Sequence, residues 1–139
     1  ESKSFIAGTE AKTVSTPWLK IGLSICYDLR FPELFRSKQF KDVEVISVPS
    51  AFTKETGAAH WMTLLQSRAI ENLAYVVAPN QWGKHFGSRE TFGHSVIIDP
   101  WGEVMDIKED GEGFVLAEMD IKGLKSIRNK FPALEHRKL

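Results

Sequence analysis

Leu19-Lys20-Ile21-Gly22-Leu23-Ser24-Ile25-Cys26, running on through Tyr27-Asp28-Leu29-Arg30-Phe31-Pro32-Glu33-Leu34-Phe35 to Val43-Glu44-Val45-Ile46-Ser47-Val48-Pro49, is the stretch whose rhythm decides the fold. In its opening part Ile21, Leu23 and Ile25 alternate with Gly22, Ser24 and Cys26, which is the period of a strand with one apolar face and one face of small residues. Pro32 stands where a first helical turn would begin, and Leu34, Phe35 and Lys38 follow at helical spacing. Val43 to Val48 then reads as a second strand that Pro49 ends. A strand, helix, strand succession of this length is a right-handed parallel crossover.

Outward from there, Trp61, Leu64, Leu65, Ala69 and Leu73 fall on one stripe and predict a helix from about Ala58 to Leu73. Ala74 to Ala78 is expected as a third strand, and Asn80 to Gly93 as a polar, irregular stretch. Three strand-like runs follow, Ser95–Ile98, Glu103–Ile107 and Phe114–Met119. They are separated by Asp99-Pro100-Trp101-Gly102 and Asp110-Gly111-Glu112-Gly113, which is turn chemistry, so an antiparallel meander is expected. Asp120 is placed to cap a last helix carrying Ile121, Leu124 and Ile127, which Pro132 closes.

Composition limits the function classes. The 139 residues are 42% hydrophobic and 26% charged, the make-up of a globular chain. Lys and Arg number 18 against 18 Asp and Glu, with no basic concentration, so the electrostatic footprint of a nucleic-acid or membrane-surface binder is missing. The longest apolar runs, such as Ala74 to Pro79, fall far short of the ~20 residues of a membrane helix. No basic-then-apolar leader is visible, and the expected location is the cytoplasm. One cysteine excludes an internal disulfide framework and multi-Cys zinc sites.

Cys26 therefore has to be judged by its place. It lies at the carboxyl end of a parallel strand, where open α/β sheets put their ligands, and the next helix is expected to aim its amino terminus at the thiol. On position alone a reactive thiol and a buried packing residue weigh about equally. Gly22-Leu23-Ser24-Ile25-Cys26-Tyr27-Asp28-Leu29-Arg30-Phe31-Pro32-Glu33-Leu34 resembles the nucleophile segment of the nitrilase superfamily, the carbon–nitrogen hydrolases. The resemblance runs on through Pro49-Ser50-Ala51-Phe52, Thr56-Gly57-Ala58-Ala59-His60-Trp61, Arg68-Ala69-Ile70-Glu71-Asn72, Gly93-His94-Ser95 and Asp99-Pro100-Trp101-Gly102. It is strongest to the branch of deaminated glutathione amidases, with omega-amidases next.

That resemblance implies an α/β fold, the carboxyl-terminal half of an αββα sandwich, with residues 1–120 belonging to a partial hydrolase domain and 121–139 forming a terminal helix and tail. It implies hydrolysis of a small-molecule amide through a thioester on Cys26, with the Tyr27 backbone N–H helping to hold the oxyanion. The family's general-base Glu and its Lys are expected to lie before residue 1, and Glu1 matches a second, supporting glutamate. Lys20 cannot stand in for the Lys, since six residues of strand put it about 20 Å from Cys26. No metal or organic cofactor is expected, and pairing into a homo-oligomer is.

Further candidates carry two readings each. Phe52 and His60 are expected to border the substrate pocket, although Phe52 and Trp61 also suit packing. His60, His85 and His94 suit structural places better than proton transfer to the thiol. Asp28 and Arg30 suit a local brace better than substrate binding, and Arg68 with Glu71 suits a helix i,i+3 pair. Trp82, Lys84, His85, Phe86 and Arg89 are equally placed to meet a substrate carboxylate or to form a solvated loop. The rival reading from another class is a catalytically inactive fragment serving as a structural or interaction module.

Overall fold

The parallel crossover is present. In a computed structural model that describes residues 6–138, strand β2 (Lys20–Leu23) lies parallel to β3 (Val45–Ser47), with Gly22 opposite Ile46, and β3 lies parallel to β4 (Tyr75–Ala78). β1 (Lys12–Ser15) adds antiparallel to β2 at one edge. β7 (Ser95–Ile98) and β8 (Val104–Lys108) add antiparallel beyond β4, giving one six-stranded sheet in the order β1-β2-β3-β4-β7-β8. β5 (Trp82–Lys84) and β6 (Glu90–Phe92) form a separate hairpin inside the stretch read as irregular.

One face of the sheet is covered by the helix α2 (Lys54–Asn72), whose Trp61, Leu65 and Ala69 bury themselves against Ile46, Val48, Val76, Val96 and Ile98. That helix starts four residues ahead of the stripe at Ala58, because Thr53 caps it: its hydroxyl accepts from Thr56 N–H at 3.4 Å. Gly57 reads as a loop residue but sits in the second turn. An added Cβ there would overlap the Phe92 side chain, so only glycine lets β6 approach the helix. Asp120 caps the helix α3 (Ile121–Lys130) as its sequence predicts, accepting from Gly123 N–H at 2.8 Å. Leu124 of α3 buries against Val45 and Tyr75 on the opposite face of the sheet.

Two expectations are corrected. The helix after Cys26 is a single turn, α1 (Pro32–Phe35), preceded by a 3₁₀ turn over Cys26–Arg30. Four residues make no macrodipole aimed at the thiol, and Lys38 falls in another 3₁₀ turn instead. Phe114–Met119 forms no strand. Its alternation is real, with Val115, Ala117 and Met119 turned inward and Phe114 and Leu116 exposed, but it meets the neighbouring strand through a side chain, Leu116 N–H donating to the Asp106 carboxylate, and not through a backbone ladder. Side-chain period specifies a face and leaves the backbone partner open.

The alternation in β2 also holds, with Gly22 and Ser24 buried beneath the sheet. Leu23 and Ile25 on the other face are 43% and 68% exposed, and Val14 on β1 is 45% exposed, since α3 covers only the far end of that face. An apolar sheet face of this kind is an association surface. The 139-residue chain is expected to elute as concentration-dependent assemblies in size-exclusion chromatography with light scattering. A monomer at every concentration would show that this face tolerates water.

Candidate active site

Cys26 is half-buried at the carboxyl end of β2, where Ser24 N–H still bonds to the Ser47 carbonyl at 3.1 Å and Ile25 is still extended. The chain then turns sharply, and Cys26 itself has φ 45°, the left-handed region that a residue with a Cβ enters at a cost of about 1–2 kcal/mol. Such a backbone persists where its surroundings over-determine it, and they do here. Cys26 N–H donates to the Pro49 carbonyl at 3.0 Å, tying the turn to the end of β3. The Asp28 carboxylate accepts from Ile25 N–H at 2.8 Å. Asp28 is thus a local brace as expected, but it acts on the backbone and makes no ion pair with Arg30.

Underneath, Arg68 of α2, only 4% exposed, donates through Nε and Nη2 to the Leu29 carbonyl at 3.2 and 2.8 Å. Its third nitrogen, Nη1, pairs with Glu71 at 2.9 Å, the expected i,i+3 pair, and its guanidinium lies over the Phe35 ring. The pair does more than brace its helix: it fixes the turn that carries Cys26. Arg68→Lys removes this fork, because an ammonium cannot give two parallel bonds to one carbonyl and a third to Glu71. Thermal unfolding should show a loss of about 1–3 kcal/mol, with a faster reaction of Cys26 with iodoacetamide as the turn loosens; an unchanged melt and an unchanged rate would place the anchor elsewhere.

Tyr27 N–H, one residue beyond the thiol, donates to no group among the described residues, so it is free to receive a developing negative charge. The Tyr27 ring is exposed and meets Phe31 edge-on at 5.5 Å. Arg30 gathers the rest of this wall. Its guanidinium stands over the Tyr27 ring at 5.8 Å and the Phe52 ring at 5.4 Å, and Nη1 is 3.4 Å from His60 Nδ1. Phe52 is buried against Trp61, with ring centroids 4.8 Å apart, while His60 is exposed. The two residues expected to border a pocket therefore belong to one cluster, with Arg30 as its hub.

None of the histidines reaches the thiol. Among the described residues Cys26 Sγ makes no hydrogen bond; His60 faces Arg30, His85 Nε2 lies 2.7 Å from the Thr91 hydroxyl, and His94 Nδ1 lies 3.0 Å from the Phe92 carbonyl. A carbonyl only accepts, so His94 carries its proton on Nδ1. Lys20 donates to the Lys41 carbonyl, far from the turn. Glu1 lies outside the described residues. Among those residues no group of three or more metal-binding side chains gathers, and no helix is long and apolar enough to cross a membrane.

Asn80 was not singled out by sequence, yet it joins the ends of three strands. Its side chain accepts from Phe52 N–H at 3.0 Å and donates to the Gly93 carbonyl at 2.6 Å, while its backbone bonds to Ser95 Oγ. The signal was a Pro79-Asn80 pair directly after a buried strand, an asparagine that cannot sit inside without partners. Through it the β5–β6 hairpin is drawn toward the Phe52 loop, where Phe92 N–H bonds to the Phe52 carbonyl at 3.0 Å and Lys54 pairs with Glu90 at 2.8 Å. Trp82, Lys84, His85, Phe86 and Arg89 all lie on this hairpin, largely in solvent.

The chain is similar to known proteins in sequence and in fold. The model of the carbon-nitrogen hydrolase family matches residues 1–129. The chain is 46% identical over 140 residues to the deaminated glutathione amidase of Dictyostelium discoideum, covering 100% of this chain and 48% of that protein. It is 45% identical to the human deaminated glutathione amidase, covering 99% of this chain and 42% of that one. Among solved structures it superposes on the C. elegans NitFhit protein with a TM-score of 0.93 at 45% identity, over 99% of this chain and 34% of that one. Saccharomyces cerevisiae Nit3, described as a member of branch 10 of the nitrilase superfamily, gives 0.90 at 34% identity over 100% of this chain and 51% of its own. The chain thus spans about half the length of the curated relatives it matches.

Proposed function

Because the chain belongs to the carbon–nitrogen hydrolase family, with the α/β architecture of half a nitrilase-like sandwich, we propose that it carries the nucleophile of an amidase acting on a small-molecule amide of the deaminated glutathione type. The observation that supports this reading is the placement of Cys26: a left-handed turn at a strand end, braced by Asp28, Pro49 and Arg68, with the Tyr27 N–H unspent beside it.

In the reaction the Cys26 thiolate attacks the amide carbon, forming the C–S bond while the carbonyl electron pair moves onto oxygen. Tyr27 N–H donates to that oxyanion. Collapse of the tetrahedral species breaks the C–N bond, and the leaving nitrogen takes up a proton. The thioester on Cys26 is then hydrolysed by water, releasing the acid and restoring the thiol. Phe52 and His60, gathered by Arg30, form the wall against which the acyl group is oriented.

Nucleophile activation, protonation of the leaving group and further charge on the oxyanion ask for a carboxylate and an ammonium near the sulfur. Among the described residues neither reaches hydrogen-bonding distance of Cys26 Sγ, and we place both outside them. The 139-residue chain alone is therefore expected to hydrolyse deaminated glutathione and simple amides several orders of magnitude more slowly than a protein of the relatives' full length. Steady-state assays of both, side by side, test the reading. Comparable turnover would mean that the proton-transfer machinery lies within this chain, and no turnover by either would remove the amidase reading itself.

A further inference from the structure

At the amino ends of β3 and β4, the edge of the sheet opposite Cys26, α3 and the residues after it close over a cavity of about 680 Å³. Six of its lining side chains are cationic, Arg36, Lys38, Lys41, Arg128, Arg137 and Lys138, and three are acidic, Glu33, Asp42 and Glu135. The wall also includes Phe35, Phe40, Val43 and Leu134, so the space offers an apolar body as well as a positive one.

Arg128 is the fixed point of this cavity and also lines a neighbouring one of about 430 Å³. Its Nε donates to the Leu73 carbonyl at 2.9 Å, and its Nη2 to the Val43 and Asn72 carbonyls at 2.6 and 3.4 Å. All three acceptors are neutral. Among the described residues no carboxylate pairs with it, and Nη1 has no partner; burial pushes its pKa down against the weaker pull of Glu44 and Asp42. An oriented, partly desolvated guanidinium with both N–H bonds of Nη1 unspent is a ready donor to an oxyanion. Ser37 also lies in this wall, but among the described residues its hydroxyl is fully buried and unpartnered, turned to the protein and not to the open space.

We propose that this cavity binds a small phosphate monoester, its dianionic head held by the free Nη1 of Arg128 within the surrounding cationic side chains and its organic body against Phe35, Phe40 and Leu134. The volume is that of a small-molecule site and exceeds what a bare ion fills. The site lies at the opposite ends of the strands from Cys26 and shares with the brace of the nucleophile turn only Phe35, on whose ring Arg68 rests.

Isothermal titration with phenyl phosphate of a protein of the relatives' full length that contains this chain, at physiological ionic strength, tests it. Saturable one-to-one binding is expected, with inorganic phosphate binding more weakly because it lacks the ring. Arg128→Gln should weaken binding by about tenfold or more, as loss of a charge-assisted bond does. Arg128 also holds three backbone carbonyls, so a second set of variants carries the test if that one does not fold. The exposed pair Lys38→Gln with Lys41→Gln, which holds no backbone carbonyl, should weaken binding severalfold. The rate at which iodoacetamide alkylates Cys26 should be unchanged by the ligand. Absence of saturable binding, equal affinity in all variants, or protection of Cys26 would each overturn the proposal.

Discussion

Replacing Cys26 by Ala in a protein of the relatives' full length is expected to abolish amide turnover, lowering kcat/KM by about four orders of magnitude or more. The argument rests on what the turn holds and what it leaves free. Its backbone is pinned by the Pro49 carbonyl, by the Asp28 carboxylate through Ile25, and by the Arg68 fork on Leu29, none of which involves the sulfur. Alanine meets the same left-handed backbone as cysteine, so the variant should stay within about 1 kcal/mol of the parent in stability. Activity and fold are thereby separated. During turnover of an amide, rapid quenching and mass spectrometry should find the acyl group on the peptide bearing Cys26 and nowhere else. Normal turnover by Cys26→Ala, or an adduct on another side chain, would sink the thioester mechanism.

The parts of the molecule that were legible in the sequence are those whose local pattern and tertiary role agree. In β2 the small residues Gly22 and Ser24 face the packed side because a Cβ at Gly22 would run into the Phe40 ring, and the apolar Leu23 and Ile25 face outward. The Asp120 cap and the Leu124 stripe of α3 are equally local signals. The β5–β6 hairpin was not legible. Trp82-Gly83-Lys84 and Glu90-Thr91-Phe92 show no apolar alternation, and what docks the hairpin is Phe92 seating itself on Gly57 of a helix far off in sequence. For the same reason the start of α2 was misplaced. Thr56-Gly57-Ala58 looks like a loop until the hairpin that needs Gly57 is in view.

The candidate site divides along the same line. Cys26 was found by its strand-end position together with the motif around it, and Arg68 with Glu71 was found as a pair. That the pair grips Leu29, and so the nucleophile turn, depends on how α2 lies across the sheet, which no spacing encodes. In sequence Arg30 reads as half of a local brace with Asp28. It gathers Tyr27, Phe52 and His60 instead, because the 3₁₀ turn points its side chain away from the Asp28 carboxylate that is already spent on Ile25.

Trp61 joins that site to the core, and Trp61→Ala should be the most destabilising single truncation in the chain. The indole is 0% exposed, packs on Phe52 and donates its Nε1–H to the His94 carbonyl at 2.8 Å. It therefore links α2, the loop after β3 and the turn leading into β7. Truncation leaves a cavity that three separate elements would have to collapse together to fill, and the cost of a buried Trp→Ala change is about 3–5 kcal/mol, a large share of the ~5–15 kcal/mol that holds a domain together. Trp61→Phe separates the two contributions. It keeps most of the ring volume but leaves the His94 carbonyl unpaired, for about 1–3 kcal/mol. Urea unfolding at low protein concentration should show midpoints falling in the order parent, Trp61→Phe, Trp61→Ala, at unchanged slope. If Trp61→Ala lost less than about 1 kcal/mol, α2 and the Phe52 loop would have to be joined through Leu65 and Ala69 instead, and Phe52 would be held beside Arg30 by something other than the indole.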